Sequence, residues 1–246
     1  MNSAPQSPGP EDLESMLYWA RASDPATRWQ MRLQLAIKKR LWRTVVDGSG
    51  ALKRLLDLFA SGCGLLALSP LFLVVALIIR RDGGPVFFCQ QRVGRFGRAF
   101  GMWKFRSMVP NADALKDQLL QQNEVAGGVI FKMKDDPRIT PIGRFIRKYS
   151  IDELPQLWNV FRGDMSLVGP RPPVPREVAL YSVEERRRLM VRPGLTCFWQ
   201  VGGRSDIDFA GQVRLDLEYI RSESIWVDLK LLFLTIPAVL LGKGAY

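Results

Sequence analysis

The 246-residue sequence predicts a mainly helical α/β protein fastened to a membrane by one bent apolar helix. Three observations predict it. An uncharged run of 22 residues, Leu58 to Ile79, is long enough to enter a bilayer as a helix. Beyond it the pattern changes to short strands around a Gly-rich turn and then to amphipathic helices. The charge is lopsided, with 35 Lys and Arg against 24 Asp and Glu, a net +11, and no histidine. That balance points to a polyanionic partner: nucleic acid, anionic lipid or a phosphorylated substrate. The missing histidine excludes Ser-His-Asp and Cys-His nucleophiles and His-ligated zinc, which leaves carboxylates and cations, with room for a hard metal ion.

Along the chain, residues 1–27 are rich in Ser, Pro and acids and read as a loose tail without a secretory signal. Residues 28–50 form a basic amphipathic segment in which Trp29, Leu33, Ile37, Leu41 and Trp42 mix with Arg28, Arg32, Lys38, Lys39, Arg40 and Arg43. Such a helix lies on an anionic bilayer or packs with a solvated basic face, and the segment alone fits both. Residues 51–82 hold the apolar run. Ser69-Pro70 in its middle predicts a bend, because proline removes a backbone hydrogen bond and the serine hydroxyl can satisfy a freed carbonyl. Lys53 and Arg54 precede the run and Arg80 and Arg81 follow it. Basic flanks stay on the cytoplasmic side, so a re-entrant helix keeps both there and a single span strands one. A buried core helix is the third reading.

Strands are predicted at Val86–Cys89 and Ala99–Phe105, and helices over 111–122, 151–162, 177–190 and 225–241, with an extended Pro170–Pro175 link. The last helix has only eleven uncharged residues at its end, too few to span, so it is interfacial or packed. Cys63, Cys89 and Cys197 are far apart and read as reduced thiols.

Asp152 and Glu153 open the helix predicted over 151–162, and two readings fit them. Ser150 and Glu153 match an S-x-x-E capping box. Alternatively, a carboxylate held at a helix N-terminus stays ionised and available as a nucleophile, next to amides that suit a phosphate. Glu153 then offers a hard oxygen ligand for Mg²⁺. Cations crowd nearby: seven from Arg80 to Arg106 against one acid, and six from Lys132 to Lys148 against two. Arg171 in Gly169-Pro170-Arg171-Pro172 and Arg204 after Gly202-Gly203 stand in turns that suit a phosphate clamp, although scattered arginines are more often solvated surface.

KFRSM (Lys104–Met108), DPRIT (Asp136–Thr140), SIDELPQLWNVFRGDMSLVGPRP (Ser150–Pro172), RPGLT (Arg192–Thr196) and QVGGR (Gln200–Arg204) occur in order. Together they resemble the bacterial sugar transferase family, the monotopic polyprenyl-phosphate phosphoglycosyl transferases that start assembly of surface glycans. The resemblance implies a re-entrant membrane helix broken at Ser69 and Pro70, and a small cytosolic catalytic domain over residues 83–246. It implies that Asp152 attacks the β-phosphate of a UDP-sugar, that UMP leaves, and that polyprenyl phosphate then takes the sugar phosphate from the aspartate. Glu153 helps bind Mg²⁺. Lys104, Arg147, Arg171 and Arg204 are the implied phosphate handlers, with Arg106 and Arg138 added from the matching KFRSM and DPRIT motifs. The implied location is the cytosolic face of the bacterial inner membrane, with anionic lipids as further partners and self-association open. Cys197 stands where the family commonly has glycine. With about 50 residues before the apolar run, the multi-span domain of larger members is not expected. The competing reading is a non-catalytic basic adaptor of glycan assembly. Nucleic-acid binding is disfavoured by the apolar run and the lack of a recognition motif. The identity of the sugar is not legible.

Overall fold

The computed structural model describes residues 25–112, 114–115, 136–203 and 207–241. Helix α1 spans Pro25–Ala67 and α2 spans Ser69–Arg80, and Gly50–Ala67 meets α2 at a bend of 58°. The break falls at Leu68, one residue before the predicted Ser69-Pro70 position. Pro70 sits in the first turn of α2, where its missing N–H costs nothing. The Ser69 hydroxyl donates to the Leu66 carbonyl at 2.8 Å, satisfying the group that the bend frees. Among the described residues no single helix is long and apolar enough to cross a membrane, whereas this bent pair has the length and composition to do so.

The chain forms two units, Met1–Leu52 and Lys53–Tyr246. In the first, the described residues are helical, and Trp29, Leu33 and Ile37 are exposed at four-residue intervals. The second holds the end of α1 and α2, followed by the strand pair β1 (Phe87–Val93) and β2 (Ala99–Phe105), antiparallel from Phe87↔Phe105 to Val93↔Ala99. The first strand runs four residues past its predicted end. Helix α3 (Pro141–Lys148) follows, then a 3-10 turn at Ile151–Glu153 and helix α4 (Gln156–Arg162). The single helix expected over 151–162 is therefore split, because Pro155 offers no N–H to carry the pattern through. Strand β3 (Ser166–Val168) pairs in parallel with β4 (Gly194–Thr196). Between them the expected 177–190 helix is replaced by short α5 (Pro175–Ala179) and a 3-10 turn at Glu185–Met190. Ser182 and Glu185 explain the restart: each one's side chain accepts from the other's backbone N–H. Helices α6 (Phe198–Gly202), α7 (Phe209–Ser222) and α8 (Ile225–Leu241) complete the unit. Most of the predicted 111–122 helix lies outside the described residues.

One core joins Met102, Leu157, Val160, Met165, Leu167, Val168, Tyr219 and Leu231. A second joins Val75 and Ile79 of α2 to Phe105 of β2 and Ile146 of α3. Each fully buried side chain of this size contributes roughly 1.5–3 kcal/mol. The other side of α2 exposes Leu73, Val74, Leu77 and Ile78. Within the second unit, polar residues near the end of α1 tie that helix to its neighbours. Arg54 donates to the Val160 and Phe161 carbonyls at 2.6 and 2.7 Å, satisfying the last turn of α4. Asp57 accepts from the Ser166 hydroxyl at 3.1 Å and the Leu167 amide at 2.9 Å.

Candidate active site

Thr140 begins the approach to the site: its hydroxyl accepts from Gly143 N at 3.0 Å and caps α3. A side chain at Gly143 would put Cβ 1.9 Å from the Ser107 carbonyl oxygen, so glycine lets α3 lie against the end of the hairpin. After α3 the chain reverses through Ser150, whose φ of 54° is a left-handed conformation that a non-glycine residue adopts at a cost. Ser150 makes no side-chain cap bond, so the capping-box reading does not hold. The reversal places Asp152 and Glu153 in a single 3-10 turn packed beside β2.

Glu153 is fixed. Its Oε1 accepts from Lys104 Nζ at 2.7 Å and stands 4.0 Å from the Arg171 guanidinium. Burial alone would raise its pKa, but Lys104 and Arg171 outweigh it and lower the carboxyl to about 2. Asp152 is more isolated. It is 8% exposed, and none of the described residues donates a hydrogen bond to its carboxylate. Burial pushes its pKa up to about 6, against the pull of Lys104, with Glu153 adding to the rise and Arg147 and Arg171 opposing it. The helix-terminus argument therefore has the wrong sign here: desolvation exceeds the favourable dipole of so short a turn.

Arg171 reaches the pair through a rigid link. Gly194 N donates to the Pro170 carbonyl at 2.9 Å, and Gly169 N to the Thr196 carbonyl at 3.0 Å. A Cβ on Gly194 would lie 2.0 Å from Gly169 N, so only glycine permits this approach of the two backbones. Arg92 of β1 then holds the next residue by donating to the Pro172 carbonyl at 2.8 Å. Arg92 is buried, and desolvation with the nearby Arg171 lowers its pKa to about 10. Sequence reasoning missed Arg92 as part of this region; its only signal was membership of the basic run. It also missed Trp199, whose ring lies 5.8 Å from the Arg171 guanidinium carbon.

The structure brings Lys104, Arg147 and Arg171 to bear on Asp152 and Glu153. Two of the other expected phosphate ligands, Arg106 and Arg138, have acids of their own. Arg106 is committed to Asp82 and to the carbonyls of Ile79, Pro85 and Met108. Arg138 forks onto Asp136, with its NH2 at 2.6 Å from Oδ2. Arg204 lies outside the described residues. As for a metal, no three His, Cys, Asp or Glu side chains converge among the described residues. Two adjacent carboxylates, one already facing two cations, do not make a cage. They do suit Mg²⁺ in its usual enzyme setting, where one or two carboxylates share the ion with substrate phosphates.

The arrangement is a buried carboxylate without a hydrogen-bonding partner among the described residues, a fixed carboxylate beside it, and cations in excess around both. Such a site can receive a phosphorylated substrate and present an oxygen nucleophile to it. Residues 48–242 match the model of the bacterial sugar transferase family. The chain is 51% identical over 194 residues to "Galactosyl transferase CpsE" of Streptococcus agalactiae serotype III, covering 78% of this chain and 43% of that protein. It is 44% identical over 219 residues to "Undecaprenyl-phosphate galactose phosphotransferase" of Salmonella typhimurium, covering 88% and 44%. Against "Exopolysaccharide production protein ExoY" of Sinorhizobium fredii it is 43% identical over 201 residues, covering 80% and 89%. The chain thus spans less than half the length of the first two relatives and most of the third. With the family model matched over most of its length, this chain belongs to the bacterial sugar transferase family.

Proposed function

We propose that the protein transfers a sugar 1-phosphate from a UDP-sugar to polyprenyl phosphate, as an early membrane step of surface polysaccharide assembly. The names of its relatives, undecaprenyl-phosphate galactose and glucose phosphotransferases among them, support the reaction class. The observation that carries the mechanism is the buried Asp152 carboxylate, free of hydrogen bonds from the described residues, next to a Glu153 pinned by Lys104. An Asp152 oxygen attacks the β-phosphorus of the donor. The bond from that phosphorus to the bridging oxygen breaks, and UMP leaves with the electron pair. A phosphate oxygen of the lipid acceptor then attacks the same phosphorus, and the bond to Asp152 breaks to restore the carboxylate. Arg171, Lys104 and Arg147 offset the charge of the two anionic reactants before the carboxylate approaches. Mg²⁺, held by Glu153 with the donor's phosphates, would supply further charge neutralisation at the diphosphate.

The acceptor is lipid-borne, so the nucleophile belongs at a bilayer surface. The bent pair α1–α2, with basic residues at both ends and exposed apolar side chains between, suits a re-entrant segment at the cytosolic face. The exposed stripe of Trp29, Leu33 and Ile37, in a segment rich in Lys and Arg, suits anionic lipid.

The direct test is UMP release from a panel of UDP-sugars in membranes containing wild type or Asp152→Asn. Loss of release in the variant is expected, and release at the wild-type rate would overturn the nucleophile assignment. The panel also identifies the sugar. Topology is tested by labelling cysteines at Gly50→Cys and Arg81→Cys in a chain lacking Cys63 and Cys89. Both are expected to react only from the cytosolic side; reaction from opposite sides means a span. Gly84 is unsuitable for a probe, since its Cβ would meet the Arg106 guanidinium at 2.7 Å.

A further inference from the structure

We propose that Trp199 is a positioning residue: its indole is the platform that aims the Arg171 guanidinium at the donor's diphosphate, and Arg188 and Asp216 hold the platform in place. The inference rests on the proposed function, in which Arg171 meets that diphosphate.

Arg171 needs such a support. Among the described residues its guanidinium makes no hydrogen bond; its contacts are Glu153 at 4.0 Å and the Trp199 ring at 5.8 Å. A cation over a tryptophan face is attracted by the ring quadrupole, and the attraction fixes direction without consuming any of the five N–H donors. Those donors stay available for a bidentate phosphate contact. The side chain of Arg171 is 39% exposed, so it faces both the ring and the solvent from which a donor arrives.

Trp199 in turn is held from beneath. It is 6% exposed, and its Nε1 is buried without a hydrogen-bonded partner of good geometry among the described residues. The nearby acceptor is Asp216, fully buried on α7; burial pushes its carboxyl up to about 6, with Arg188 and then Trp199 opposing the rise, and its Oδ1 has no hydrogen-bond partner among the described residues. The other oxygen, Oδ2, accepts from Arg188 Nε at 2.8 Å and NH2 at 2.5 Å. Arg188 is 5% exposed, lies over the rings of Tyr181 and Phe209, and donates to the Tyr181 hydroxyl at 3.1 Å. The series runs from the 3-10 turn at Glu185–Met190 through α7 and α6 to the Arg171 loop. A buried ion pair beside a buried indole N–H is a poor means of stabilising a core, since apolar residues of the same volume do as well or better. It is a good means of fixing the plane of one ring.

The test is a double-mutant cycle on the full-length chain in detergent, reading affinity for UDP by titration calorimetry and UMP release in membranes. Trp199→Leu is expected to weaken UDP binding about 10-fold, the scale of a partly desolvated cation–π contact. Trp199→Phe, which keeps a ring, is expected to stay within about 3-fold of wild type, because a smaller aromatic face still attracts the cation. In an Arg171→Ala background, Trp199→Leu is expected to cost nothing further, because the two act as one unit. Full additivity of the two losses would overturn the proposal, since a tryptophan that only fills the core loses its contribution whatever stands at 171. Should Trp199→Leu fail to accumulate, Asp216→Asn replaces it in the same cycle, with the same criterion. Arg171→Ala by itself separates the two readings. If it leaves UDP affinity and UMP release unchanged, the role of Arg171 in the proposed function falls. If it cripples both while the Trp199 effect is additive, only the platform falls.

Discussion

Lys104 ends on Glu153, with Arg171 across from it and Asp152 alongside, whereas Arg106, two residues later, forks onto Asp82 and three backbone carbonyls. Arg138 resembles Arg106 in this respect, closing on Asp136 two residues away. The difference is one of charge matching. Each clamp closes an arginine directly on a carboxylate. Around the dyad, Lys104, Arg147, Arg171 and Arg92 act on two carboxylates, and Asp152 has no hydrogen-bonding partner among the described residues. Matched charge holds chain segments together; unmatched charge is what an anionic substrate can complete. Proximity in sequence does not decide which kind of cation a residue becomes.

The contrast can be broken most severely at Asp152. Asp152→Asn is expected to lower UMP release by at least about 10³-fold, as loss of a nucleophile does, without lowering the unfolding temperature. Lys104→Met comes next: it frees Glu153 and is expected to cost about 10²-fold in UMP release, on the scale of one electrostatic stabiliser. Arg106→Met should separate the two regions. Unfolding free energy is expected to drop by about 2–3 kcal/mol, because buried carbonyls lose their donor, while the donor KM of the folded fraction stays put. A raised KM at normal stability would place Arg106 with the substrate after all.

The smallest effect concerns acid. Arg106 holds the Asp82 carboxyl below its ordinary 3.8, and for Asp136 the Arg138 contacts outweigh burial and lower it too. Both folded values lie below the unfolded one, so their contribution is present above 3.8 and lost as pH falls towards the lowered folded values. Urea midpoints are therefore expected to fall below about pH 4, and Asp136→Asn to flatten part of that slope.

Much of this was legible in the sequence, and for physical reasons. Ser69-Pro70 announces a bend because proline cannot continue a hydrogen-bond ladder, and the hairpin follows from Gly-rich spacing between alternating strands. The dyad was visible through its motif, yet its electrostatics were not, since the rise at Asp152 comes from burial by residues distant in sequence. Arg106 and Arg138 could not be told from Lys104 by composition, because each one's role depends on which acceptor the fold brings within reach. Arg92 and Trp199 carry no pattern of their own; only the packing of β1 and α6 against the Arg171 loop gives them a place. Helix α3, strands β3 and β4 and helix α7 are short or weakly periodic and were not anticipated.

One face of α2 supplies Val75 and Ile79 to the core shared with Phe105 and Ile146, and Ile151 of the dyad turn packs against that same group. The apolar segment is therefore no detachable tether. Deleting residues 1–80 to obtain a smaller fragment would strip the wall against which the dyad turn is built. Preparations of this protein should keep the segment, and variants that thin its exposed apolar face at Leu73 or Leu77 offer a gentler route to solubility than deletion.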